Sequence, residues 1–114
     1  MTKYGTIVKG NSKDLIYAIE QKLFDDVDGT FVFDVKAVER SQHSLDGIIS
    51  TLLVYEYYTT WYRTNFAVSI MITESKELLH VTVIPSHGFY VKPKKLKLFN
   101  KTVEIIEEHK VQKS

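Results

Sequence analysis

The chain has 114 residues, no cysteine, and 15 basic against 14 acidic residues for a formal charge of +1. That length suits a single domain with its own core, while the lack of cysteine excludes disulfides, thiolate metal sites and a cysteine nucleophile. The balanced charge supplies no global field for nucleic acid or an anionic membrane, and 44% hydrophobic with 25% charged residues is an ordinary globular composition.

No apolar run approaches the ~20 residues of a spanning helix. The opening MTKYGTIVKG places charge and glycine where a signal peptide has its apolar centre, so the expected location is cytoplasmic.

The first element in chain order is a short strand, Tyr4 to Lys9, closed by Gly10 and Asn11. Asn11 and Ser12 are N-cap residues, Asp14 falls in the first turn, and Leu15, Ile19 and Leu23 recur every fourth residue. A helix is expected from Ser12 to Phe24. The acidic turn DDVDG ends it. Thr30 to Arg40 then alternates, with Phe31, Phe33, Val35 and Ala37 on one face, and reads as a strand. Ser41 to Asp46, SQHSLD, reads as a polar connection.

The most informative stretch is Gly47 to Thr73. Its first strand, Ile48 to Tyr58, is apolar on nearly both faces, as in a strand covered on each side. Past the loop TTWYRTN, Phe66, Val68, Ile70 and Ile72 form an apolar face opposite Ala67, Ser69, Met71 and Thr73. The turn ESKE leads into Leu78 to Ile84, with Leu79, Val81 and Val83 facing the core opposite His80 and Thr82. These strands make a meander. Residues 89–99 fit a strand, a loop or a helix start, and a closing helix is expected from Asn100 to Lys110, with Asn100 as cap and Glu104 near the first turn.

The order β-α-β-β-β-β-α predicts an α+β two-layer sandwich: an antiparallel sheet of about five strands with both helices on one face. The other face would be small, semi-polar and aromatic-rimmed. A surface of that kind serves association or ligand binding.

Tyr55, Tyr57, Tyr58, Trp61 and Met71 are the candidate interface residues, because aromatic side chains are enriched at interfaces and favoured in strands. Glu56, an acid in an apolar strand, and the histidines His80 and His87 are candidate ligand-binding residues. No nucleophile or second carboxylate accompanies them at a defined spacing, so no catalytic residue is named. Two separated histidines without a carboxylate motif are no metal signature. His43 and His109 read as surface residues. Lys92, Lys94, Lys95 and Lys97 concentrate positive charge and are candidate anion-binding residues, although lysine-rich edges also discourage aggregation. No glycine-rich phosphate loop, nucleophile elbow or HExxH occurs, and no cofactor or metal is expected.

The element order and the words VYEYY, with Val54, Tyr55, Glu56 and Tyr58, followed by Gly88 in SHG and a closing helix, are similar to a family of small uncharacterised bacterial proteins of about this length. That family has no assigned activity, so the resemblance implies no role for any residue. The order β-α-β4-α also resembles the TATA-binding-protein repeat, whose open sheet holds DNA. The lysine and arginine stripe that such binding requires is missing from this open face.

The expected function is therefore a small non-enzymatic domain whose helix-free sheet face or sheet edge mediates homodimerisation or partner binding. One alternative is a small-molecule binder or enzyme with a pocket near Glu56, Tyr55 and His80. Another is nucleic-acid binding through Lys92 to Lys101.

Overall fold

The computed structural model describes residues 3–25, 34–59, 64–87 and 96–113. Their elements are β1 (Tyr4–Lys9), α1 (Ser12–Asp25), β2 (Lys36–Leu45), β3 (Ile48–Thr59), β4 (Thr64–Ser75), β5 (Leu78–His87) and α2 (Lys97–Lys113). The strands form one antiparallel sheet in the order β1-β5-β4-β3-β2, so β3 to β5 are the expected meander, β2 extends it by a further hairpin at one edge and β1 adds to the other. The fold is α+β, with both helices on one face of the sheet.

Helix α1 begins where its sequence provides caps. Asn11 Oδ1 accepts the Asp14 N–H at 2.9 Å, and Glu74 Oε1 on β4 accepts the Ser12 N–H at 2.7 Å. Two of the helix's otherwise unpaired donors are thus satisfied. Its stripe of Leu15, Ile19 and Leu23 is buried against the sheet.

The covering face follows from the two-residue period of a strand. Leu53, Tyr55 and Tyr57 of β3, Phe66, Val68, Ile70 and Ile72 of β4, and Leu79, Val81 and Val83 of β5 all turn towards the helices and are buried. Register places Leu53 beside Ile70 and Ile70 beside Val83, so the rows stack across three strands. Leu98, Phe99, Ile105 and Ile106 of α2 close the layer. The helices run antiparallel, tied at the surface by Lys22 to Glu108 and by Lys113 to Asp14 at 3.6 Å.

Several boundaries differ from the sequence reading, and those of β2, of the β4–β5 turn and of the start of α2 have a physical reason. The strand expected over Thr30 to Arg40 is described only from Lys36, and it continues through the supposed connection to Leu45. Residues 26–33, Phe31 and Phe33 among them, lie outside the described residues. Strand β2, KAVERSQHSL, is an edge exposed on both faces, so burial imposes no alternation on it. The hairpin signal was Asp46-Gly47, whose φ values of 52° and 80° fit a two-residue turn with both residues left-handed.

Similarly, the turn after β4 is only Lys76 and Glu77, at φ 51° and 64°. Helix α2 begins at Lys97, before the expected Asn100 cap, because Leu98 and Phe99 are buried and the Asn100 N–H donates to the Leu96 carbonyl at 2.9 Å. Burial outweighs the unfavourable lysine in the first turn. It also corrects His109, which is 7% exposed and buried, because it continues the stripe of Thr102, Ile105 and Ile106.

Candidate functional site

The helix-free face is built from the alternate residues of the same strands. One row crosses all five strands as Gly5, Thr82, Met71, Leu52 and Ser41; the next runs Ile7, His80, Thr73, Ser50 and His43. Beyond them lie Ile84, Ser69 and Val54 on one side and Leu78 and Ile48 on the other. Ile7, Met71, Leu78 and Ile48 are exposed, at 52, 53, 41 and 43%.

Of the five candidate interface residues, the structure puts Tyr58 and Met71 on this open face. Tyr55 and Tyr57 belong to the opposite face and are buried under the helices, a correction that follows from strand parity: Leu53 and Thr51 precede them on the same side. Trp61 lies outside the described residues. The sequence reading missed Ile7, Leu78 and Ile84, whose signal was the alternation within YGTIVK and LLHVTVI; the position of β1 beside β5 joins them into one surface.

Glu56 is on the open face, opposite Lys36 of β2 and Ala67 of β4. The cross-strand lysine is the partner expected of an open-face carboxylate. Because Tyr55 points the other way, the two do not share a pocket. His80 is exposed on the open face, and His87 lies seven residues further along the same strand, ~23 Å away. Only the backbone of His87 is described. Lys92, Lys94 and Lys95 lie outside the described residues, and Lys97 is exposed at the start of α2.

On the covered face, a polar tie joins α1, β2 and β3. Glu20 Oε2 accepts the Tyr55 hydroxyl at 2.6 Å and Arg40 Nε at 2.7 Å, and the Phe24 ring meets Tyr55 edge-on at 5.8 Å. Burial, then the hydrogen bond to Glu20, push the Tyr55 hydroxyl well above the usual tyrosine range. A phenol so held stays protonated and donates. This cluster fastens the edge strand to the helix; sequence separations of 20 and 35 residues hid it from any local reading.

His109 Nε2 is buried with no hydrogen-bond partner among the described residues. Burial, followed by the nearby Lys113 ammonium, lowers the His109 pKa, so the neutral imidazole is favoured. A shallow groove lined by Lys9, Asn11, Lys76 and Glu77 adjoins the start of α1, whose donors already serve Asn11 and Glu74. Among the described residues, no three His, Asp or Glu side chains gather as metal ligands, and no helix is long and apolar enough to cross a membrane.

No protein-family model matches the chain, and no curated protein does. Among solved structures, the crystal structure of TTHA0849 from Thermus thermophilus is similar at a TM-score of 0.30 and 11% identity, over 95% of this chain and 87% of that chain. A likeness so slight bears on neither fold nor function.

Proposed function

We propose that this chain is a non-enzymatic module that pairs with a second copy of itself through the open sheet face. One observation carries the reading. Among the described residues, the open side of the three central strands β3, β4 and β5 holds a single formal charge, Glu56, while Ile48, Leu52, Val54, Met71, Leu78 and Ile84 share it. Solvated sheet faces alternate apolar with charged residues; depletion of charge at the centre is the compositional mark of an interface.

The size of the face supports a second copy as occupant. Five strands at ~4.8 Å spacing, with about eight residues each at ~3.3 Å, outline roughly 600 Å². A standard interface takes about 800 Å² from each partner, so a two-fold sandwich of two such sheets falls at the small, reversible end of the range. The patch suits self-pairing because β4, its central strand, can lie over its own copy about a two-fold axis near Met71. The edges then carry the charges: Lys3 and Lys9 beside β1, and Lys36 and Glu39 on β2.

Sedimentation velocity over a micromolar concentration series tests the proposal. The expected result is a concentration-dependent species of twice the 13.2 kDa chain mass. A 13.2 kDa species throughout the series would contradict it.

A further inference from the structure

We propose that pairing through the open face is gated by protonation of His80: the dimer forms while this imidazole is neutral and separates when it is charged. The inference rests on the dimer proposed above. It starts from the position of His80, which is exposed in the single chain and sits one row from Met71, between Ile7 of β1 and Thr73 of β4.

Among the described residues, the surroundings of His80 offer an imidazolium nothing to pair with. On its own strand the open-face neighbours are Leu78 and Thr82. On β1 they are Ile7, Gly5 and Lys9, and on β4 Thr73, Met71 and Ser75. The one charged group in that set is Lys9, a cation. No Asp or Glu adjoins it from either neighbouring strand.

Among the described residues, a second sheet laid over the face about a two-fold axis near Met71 puts no carboxylate beside His80 either. If the two-fold axis runs along β4, His80 comes to lie over Ser50 of the second copy; if it runs across the strands, over Ile84. The open-face carboxylate of β3, Glu56, is six residues from Ser50, ~20 Å along the strand. A neutral imidazole can be covered by such a surface at little cost, whereas an unpaired imidazolium loses its hydration without compensation. Histidine changes charge between about pH 5 and 8. Linkage then fixes the sign: the separated chains bind more protons than the dimer, so acidification favours separation. His43 lies in the same row on the exposed edge strand β2, outside the three central strands.

Sedimentation equilibrium of the full chain at about pH 8 and about pH 5.5, on wild type, His80→Gln and His43→Gln, tests the inference, with circular dichroism to verify folding. The expected result is a dissociation constant at least about tenfold higher at the lower pH for wild type and His43→Gln, and little change for His80→Gln. An equally tight wild-type dimer at both pH values would overturn the gating and leave the dimer standing. Equal acid dissociation of His80→Gln would also overturn it. A wild-type monomer at both values would remove the dimer itself, and the gating with it. Titration of the wild-type His80 ring proton by NMR needs no variant: its midpoint should fall on going from dilute to concentrated protein, and an unmoved midpoint would contradict the inference.

Discussion

The same three strands present two different surfaces. On β4, Phe66, Val68, Ile70 and Ile72 are buried beneath the helices, while Ala67, Ser69, Met71 and Thr73 alternate with them on the open side. The covered face uses large side chains that fill the space beneath two helices. The open face uses small and medium ones, is still half apolar, and carries almost no charge at its centre. Parity alone separates the two, since a one-residue slip in register would exchange them entirely. What differs is the cover: α1 and α2 on one side, and on the other, among the described residues, a surface whose three central strands carry one formal charge.

The largest test of that contrast is a pair of truncations at adjacent residues. Ile70→Ala should lower folding stability by about 2–5 kcal/mol, since it leaves a cavity in a packed row. Met71→Ala, measured by the same denaturant titration on dilute protein, should lower it by less than about 1 kcal/mol. Equal losses would mean that the open face is packed within the single chain. A smaller effect belongs to the tie on the covered side: Tyr55→Phe removes the donor to Glu20 and should cost about 0.5–1.5 kcal/mol by urea unfolding, with Arg40 still holding the carboxylate.

The next effect has the opposite sign. Lys76 and Glu77 sit in the left-handed region that side chains disfavour, so Lys76→Asn with Glu77→Gly should raise the thermal midpoint, by about 0.5–1 kcal/mol of stability. The turn sets the β4–β5 register, and an unchanged midpoint would argue against that conformation. The last prediction is a slope. The folded-state pKa of His109 is lowered, so in the window from that value up to the unfolded value of about 6.5 the unfolded chain holds more protons. Stability should therefore fall as pH drops below about 6.5, and His109→Leu should flatten the dependence measured by chemical unfolding.

Much of the fold is legible where burial imposes a period. The stripe of Leu15, Ile19 and Leu23 and the alternation from Phe66 to Ile72 identify α1 and β4 without ambiguity, because each element has one covered side. Strand β2 is obscure for the converse reason: KAVERSQHSL is exposed on both sides, so no pattern marks where it runs, and only Asp46-Gly47 points to its hairpin. The candidate site is half legible. Met71, Tyr58 and Glu56 follow from parity, but Tyr55 and Tyr57 attract attention as aromatics and turn out to belong to the core. Ile7 joins the patch only because β1 pairs with β5, which sets Ile7 beside His80 from the far end of the meander. The Glu20–Tyr55–Arg40 tie is likewise a product of topology.

The most direct measurement sets one face against the other in a single experiment: sedimentation equilibrium at about pH 8 of Met71→Glu beside Tyr17→Glu. Both residues are exposed, Met71 at the centre of the open sheet face and Tyr17 on the outer side of α1. The predicted result is a wild-type-like dimer for Tyr17→Glu and a folded monomer for Met71→Glu, since two carboxylates would meet near the two-fold axis. A Met71→Glu chain that sediments as the wild type does, whatever that state, would contradict the assignment of this face as the interface.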